Sequence, residues 1–400
     1  MSTPWPAEER LQTVDWAPLR GLRADVVQAL TRVLAGGETA RALAQLLRRH
    51  QGWSGPERAV AAEALFGVAL WRRRLQYHSR SNSPGALLDA LVQELGSAGE
   101  SGTPPSDWPT RLSYPDWLAA ELSAALGPEA EAFAAVSNLP GPVVVRVNRL
   151  RTSRDALVER LRTEGVEAEA TAYAPDGLLL RGRPNILGLP SHQAGLFEVQ
   201  DEGSQLVGLC IGAEPGNSVL DLCCGSGGKT LLLGAAMHDE GRLDAHDVDL
   251  TALERLATRA RRAGLRKSLR ILPVVPPGLR ATHVLVDAPC SALGALRRGP
   301  DVRWRISPDS LGAFPRLQRE LLDVGALHTA PGGRLVYATC TVRQAENQEV
   351  VQRFLGAHPE FTRERASVPD GLRSEQGDLV ALPHRHGTDG FYAAVLRRSA

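Results

Sequence analysis

The chain has 400 residues, 43% of them hydrophobic, and its 46 Lys and Arg against 45 Asp and Glu leave a formal net charge of +1. This length predicts two or three domains with packed cores, and near-neutrality excludes a generally basic nucleic-acid binder, so any nucleic-acid footprint must come from local arginine patches. No apolar run is long enough to span a membrane, MSTPWPAEER lacks the basic-then-apolar design of a secretion signal, and the five scattered cysteines make neither a disulfide framework nor a zinc site. A cytoplasmic protein in a reducing compartment, without a structural metal, is expected.

In chain order, residues 1–20 read as a loose tail. From 21 to 95 the runs VVQALTRVL, ARALAQLLRRH, ERAVAAEALFGVALWRRRL and ALLDALVQEL carry apolar residues at three- and four-residue spacing, which predicts helices. GSAGESGTPPSDWP, within 96–112, is rich in Gly, Ser and Pro and reads as a linker. Over 113–199 a helical stretch, YPDWLAAELSAALG, is followed by a small α+β unit: the strand VVVRVNRL, the helix SRDALVERLRTEG, and strands near Leu178 and Phe197. From 200 to 400 strands and helices alternate, the mark of a parallel α/β sheet. The last strand, FYAAVLRR, follows Asp-Gly and is expected to pair antiparallel at the sheet's far edge.

Within this last region, SVLDLCCGSGGKT (Ser218 to Thr230) is an apolar strand running into a glycine-rich turn, with TLLLGAAM as the helix that follows. Glycines let backbone amides approach a ligand, and a helix N-terminus offers unpaired N–H groups to an anionic end. Gly228-Lys229-Thr230 ends like a phosphate-binding P-loop, but Cys223 stands where that motif requires its first glycine, so the match fails. RLDAHDVD is a second strand ending in Asp247, ~25 residues on, where an acid can accept both hydroxyls of a ribose. A nucleoside-containing cofactor fits these features better than a triphosphate.

Two further strands end in cysteine: THVLVDAPCS carries Cys290 and GRLVYATCT carries Cys340. Residues just past the C-terminal ends of parallel strands converge on one crevice, so two distant thiols can share a site. One thiol can act as a covalent nucleophile and the other can manage a proton. The structural alternative is a pair of buried core cysteines, which is how Cys210 in LVGLCIG reads. Lysine occurs only at Lys229 and Lys267 in this arginine-rich chain, so a lysine inside the loop points to a need for a compact ammonium. It could favour a thiolate, or orient Asp287 or the cofactor. The candidate basic patches are Arg72, Arg73 and Arg74, then Arg297 and Arg298, and Arg303 with Arg305 around Trp304. The segment around Trp304 lies between the two cysteine runs and is the favoured nucleic-acid contact.

The runs DLCCGSGGKT, DAPCS, RRGPDVRW and YATCT, in that order, make the chain resemble the RNA 5-methylcytosine methyltransferases of the RsmB/Nop2/Sun group. VRVNRLRTSRDAL, QDEGSQL and HGTDGFYAAVLRR also fit that pattern, and the resemblance extends from roughly Leu112 to the C-terminus. It implies an α/β fold: a Rossmann-like class I methyltransferase domain, a small α+β RNA-recognition-like subdomain, and an N-terminal helical module like a shortened NusB. It also implies S-adenosylmethionine as cofactor and C5 of a cytosine in RNA as the methyl acceptor. Similarity assigns attack on C6 to Cys340, release to Cys290, and support of the base edge and N3 to Asp287, with Lys229 beside them. Cys223, Cys224, Gly225, Ser226, Gly227, Gly228, Lys229, Asp247 and Asp287 would surround the cofactor. The helical module favours ribosomal RNA, with transfer RNA second, and no obligate protein partner or membrane is implied; a monomer is expected.

One stretch departs from the family pattern. Pro273, Val274 and Val275 stand where an acidic residue near the adenine ring is usual, which leaves that ring to backbone atoms or water and predicts weaker cofactor binding. A non-catalytic RNA-binding assembly factor on the same scaffold is the competing reading. Four intact residues argue against it: Cys340, Cys290, Asp287 and Lys229.

Overall fold

Apolar residues repeating every three or four positions make the N-terminal part helical. The structure, a computed structural model, describes residues 6–96, 105–182 and 184–400. The chain divides into two units, Met1–Gly141 with Ala295–Ser310 and Pro142–Gly294 with Leu311–Ala400.

In the first unit, helix Leu19–Leu34 buries Leu22, Val26, Leu30 and Val33 along one face. They join Leu65, Val68 and Leu75 of helix Gly55–Ser79, and Leu87 and Leu91 beyond it, in one core. The long helix starts with a reciprocal cap: the Ser54 side chain accepts from the Glu57 amide while Glu57 accepts from the Ser54 amide at 2.7 Å. The expected tail and linker both shorten. Residues 1–5 and 97–104 lie outside the described residues, but Pro6–Gln12 is helical and Leu11 is buried in the core. Asp107 caps the short helix Trp108–Arg111, and Leu112 is buried just after it.

Two of the arginine patches also turn out to be internal fastenings. Arg303 has no exposed surface: its guanidinium lies 4.1 Å from the Tyr114 ring centroid and donates to Asn138 Oδ1 at 2.9 Å and to the Ser113 carbonyl at 3.3 Å. Trp304 donates its indole N–H to the Ala69 carbonyl at 2.7 Å, with Arg72 over its ring. Arg73 donates to the Tyr114 carbonyl and to Asp116, and Arg74 is buried. These guanidinium forks satisfy carbonyls that would otherwise be buried without donors, so Arg303, Trp304, Arg73 and Arg74 are not a free RNA footprint. The stretch 295–310, expected within the 200–400 domain, groups with the helices through these contacts.

The second unit holds two sheets. The small one comprises β1 (Val143–Val147), β2 (Ala168–Ala170), β3 (Gly177–Leu180) and β4 (Phe197–Val199), in the order β2-β3-β1-β4 with antiparallel pairing. Helix Arg154–Thr163 covers it through Leu157 and Leu161.

The large sheet has eight strands: β5 (Ser218–Asp221), β6 (Arg242–His246), β7 (Leu269–Leu272), β8 (Ala281–Asp287), β9 (Thr329–Thr339), β10 (Phe361–Glu364), β11 (Leu379–Ala381) and β12 (Phe391–Arg398). Their order is β10-β12-β9-β8-β5-β6-β7, with β11 paired to β12. Strands β5 to β9 run parallel, and β12 is antiparallel to β9. Alternate residues enter different cores: Val219, Val336 and Val395 pack on one face and Leu220, Leu335 and Leu396 on the other. A sheet buried on both faces needs such near-continuous apolar strands. Strand β12 is antiparallel as expected, but it lies inside the sheet, and β10 takes the edge beyond it.

 β10 is the edge because it pairs with β12 alone, from Phe361↔Arg398 to Glu364↔Val395. At the opposite edge β7 ends at Leu272, and Val274 beyond it is exposed. Among the described residues no helix is long and apolar enough to cross a membrane.

Candidate active site

The turn after β5 is shaped by two glycines with positive φ, Gly225 at 51° and Gly227 at 88°, a region that side chains disfavour. A Cβ on Gly227 would also run into Leu256 of helix Leu250–Ala263, so the helix packs directly behind the loop. The turn leads into helix Gly228–Ala236, whose first amides have no intrahelical acceptor. Asp247, just past β6, accepts the Gly225 amide at 2.8 Å on one oxygen and the Asp249 amide at 2.9 Å on the other. A carboxylate has about four lone-pair positions, so further acceptor capacity remains on Asp247. Beneath the loop, buried Asp221 accepts from the Thr230 hydroxyl at 2.7 Å, and burial pushes its pKa up to about 7.

A cleft of about 350 Å³ opens above this turn, lined by Gln200, Asp201, Cys223, Gly225, Gly228, Lys229, Arg259 and Asp287 among others. Lys229 donates to Asp287 Oδ2 at 2.6 Å, and its ammonium lies 5.3 Å from the Phe391 ring centroid. Burial works against its charge, but Asp287, with Cys340 and Asp221, more than offsets this and raises its pKa. Lys229 is therefore a fixed cation bound to Asp287.

Strands β8 and β9 stay in register to Asp287↔Ala338, so the chain segments after them leave the sheet side by side. This brings Cys290 Sγ within 3.4 Å of Cys340 Sγ. The contact with Cys340, followed by burial, raises the Cys290 pKa well above the usual thiol range, so Cys290 keeps its proton beside its neighbour. The backbones are tied as well: the Gly294 amide donates to the Cys340 carbonyl at 2.9 Å, and the Gly390 amide to the Gly294 carbonyl at 2.8 Å. A Cβ on Gly294 would strike the Gly390 carbonyl.

Behind the thiols lies a buried polar network that the sequence reading missed. Glu346, with no exposed surface, accepts from Ser291, Gln318 and Arg343, and Ser291 also meets the Thr341 hydroxyl at 2.8 Å. Its only sequence signal is an acid in the polar run after YATCT, which looks like an ordinary helix start. Of the predicted residues, Cys290, Cys340, Asp287 and Lys229 come together, the glycine loop lines the adjoining cleft, and Asp247 holds that loop through the Gly225 amide. Cys224 is buried with its sulfur beside the loop backbone, and Cys210 is core. Among the described residues no cluster of His, Cys, Asp and Glu could hold a metal ion.

Antiparallel β12 inserted between β9 and β10, on a parallel sheet with a glycine turn after β5, defines a Rossmann-like methyltransferase domain. Comparison with known proteins agrees. Residues 209–397 match the family described as 16S rRNA methyltransferase RsmB/F, and residues 114–186 match the RsmF/B-like ferredoxin-like domain. A probable ribosomal RNA small subunit methyltransferase B of Synechocystis sp. is 35% identical over 338 residues, 81% of this chain and 73% of that protein. The ribosomal RNA small subunit methyltransferase B of Pseudomonas syringae is 35% identical over 300 residues, 72% of this chain and 67% of the relative. The crystal structure of PH0851 superposes with a TM-score of 0.71 at 25% identity, covering 100% of both chains. The chain belongs to the RsmB/F methyltransferase family.

Proposed function

We propose that this protein transfers a methyl group from S-adenosylmethionine to C5 of a cytosine in ribosomal RNA, through a covalent bond between Cys340 and C6. The observation that carries the reading is the 3.4 Å approach of two thiols next to the Lys229–Asp287 pair. Family membership, and relatives named for the small ribosomal subunit RNA, support the choice of RNA.

The cleft suits the cofactor in size, since small-molecule sites run from about 300 to 1,000 Å³. Asp247 would take the ribose hydroxyls on its remaining lone pairs, and the first amides of helix Gly228–Ala236 would face the carboxylate end. Cys223, Cys224, Gly225, Ser226, Gly227 and Lys229 would form the walls. When bound, the cofactor supplies an electrophilic methyl group on its sulfonium.

Cytosine C5 is too weak a nucleophile to take that group unaided. The Cys340 thiolate forms a bond to C6, and the C5–C6 double-bond electrons become available at C5. Asp287, held by Lys229, supports the base edge and assists protonation at N3. After transfer C5 bears both hydrogen and methyl. Once the Cys340 sulfur is bonded to C6, its contact no longer holds the Cys290 proton. Cys290 gives that proton to solvent and takes the C5 hydrogen as a proton, the C5–C6 double bond re-forms, Cys340 departs with the C6–S electron pair, and N3 returns its proton to Asp287. The target must be unstacked to present C5 and C6, and loops or bulges of RNA provide such bases at low cost.

Bisulfite mapping of ribosomal and transfer RNA from cells with and without the protein tests this reading. Loss of one 5-methylcytosine in ribosomal RNA is expected. A lost mark in transfer RNA instead would move the substrate, and an unchanged map with no S-adenosylmethionine binding would favour the RNA-binding assembly factor.

A further inference from the structure

Beside the glycine turn one arginine holds the loop to the small sheet, and we propose that Arg259 is a positioning residue that presets this turn for the cofactor. Arg259 follows Leu256 by three residues on helix Leu250–Ala263 and so shares its face. Leu256 packs under Gly227, while Arg259 reaches Ser226, donating through one nitrogen to the Ser226 carbonyl at 2.8 Å and to its hydroxyl at 3.0 Å. The rest of the fork is taken: Nε and the other terminal nitrogen donate to Glu198 Oε2 at 3.2 and 2.9 Å.

Glu198 makes a firm anchor. It sits on β4 with its side chain 3% exposed, and its second oxygen accepts from Arg262, which also meets His192 at 2.9 Å. Buried Arg146 is its register partner on β1. A guanidinium fixed at both ends by hydrogen bonds in one plane cannot swing, unlike an ammonium on a flexible stem.

The consequence falls on the loop. Gly225 and Gly227 give it freedom that must be lost when a ligand binds, and an ordered loop has less to lose. Asp247 holds the Gly225 amide and Arg259 holds the Ser226 carbonyl, so the turn is fixed at two successive residues. Arg259 also lines the cleft, which adds positive charge near an anionic ligand end. This assignment rests on the reading of the cleft as the S-adenosylmethionine site.

The test compares the full-length protein with Arg259→Met, which keeps the stem but loses the fork, and Arg259→Lys, which keeps the charge but not the fork. S-adenosylmethionine affinity is measured by calorimetry, and amide exchange over residues 223–230 is followed in cofactor-free protein. Arg259→Met should raise Kd about ten-fold, with kcat at saturating cofactor changed about two-fold or less. Its loop amides should exchange faster while those of β5 do not. Arg259→Lys should fall between the two in both readouts, and it carries the test if the methionine variant does not fold. Unchanged affinity and exchange, with only a lower Tm, would make the contact structural and overturn the proposal. Full rescue by lysine would overturn it in favour of charge alone. If wild-type protein bound no S-adenosylmethionine, the cofactor reading would fail, whereas the exchange contrast would still report on the clamp.

Discussion

Glu346 grips Ser291 across 55 residues of sequence, accepting its amide at 2.9 Å and its hydroxyl at 2.6 Å. Ser291 follows Cys290, and its partner Thr341 follows Cys340, so one buried carboxylate spans the segments that carry both thiols.

The first prediction follows from that hub. Glu346→Gln replaces an acceptor-only oxygen by an NH₂ that faces other donors, leaving buried groups unpaired at a cost of about 1–3 kcal/mol. Chemical denaturation should show that loss. Turnover should fall further than stability explains, while S-adenosylmethionine affinity stays within about two-fold. Equal losses in turnover and cofactor affinity would contradict a role confined to the thiol segments.

A second experiment separates the thiols. With Cys340→Ala, methyl transfer should vanish and no covalent RNA complex should form. With Cys290→Ala, attack and methylation should proceed but elimination should stall, so that protein accumulates covalently bound to RNA. A slow band on a denaturing gel, removed by nuclease, is the readout. The band appearing with the Cys340 variant instead would reverse the roles, and its absence from both would remove the covalent mechanism.

The features legible in sequence were those set by local chemistry. The glycine turn between Asp221 and Thr230 and the cysteines ending β8 and β9 stand out because short apolar strands are bounded by Gly, Pro and Ser. What was not legible depends on distant partners. Arg303 reads as a surface charge until Asn138 and Ser113, 165 and 190 residues away, are seen to take its hydrogen bonds. Strand β12 reads as an edge because nothing local announces that β10 will pair outside it. Glu346 looks like a helix-start acid for the same reason, and burial is what turns it into a hub.

Asp247 gives a prediction in which loop and cofactor act together. Asp247→Ala removes the proposed ribose acceptor and also leaves the Gly225 amide without its partner. Loss of one charge-assisted hydrogen bond costs about 1.5–3 kcal/mol, so calorimetry should show S-adenosylmethionine affinity lowered roughly ten-fold or more. RNA affinity should be near normal. Unchanged cofactor affinity would show that Asp247 is a loop fastener alone.

Asp221 carries the pH dependence. It is fully buried, one oxygen accepts from Thr230, and the other has no hydrogen-bond partner. Burial pushes its pKa up to about 7 from the ordinary 3.8. The folded protein therefore binds this proton more tightly than the unfolded chain, so the associated stability is complete below the unfolded value and is lost as pH rises through about 7. Asp221→Asn keeps an acceptor for Thr230 and removes the charge, so its stability should not share that loss. Relative to wild type, the variant should gain steadily between pH 4 and pH 8, by up to ~4 kcal/mol for a shift of this size and less where the fold relaxes around the charge. Any cost of the buried amide is the same at each pH and does not alter the trend. Urea denaturation of both proteins across this range measures the difference directly. A stability difference that is flat with pH would mean that Asp221 is ionised throughout, held so by Lys229 and the Thr230 hydroxyl.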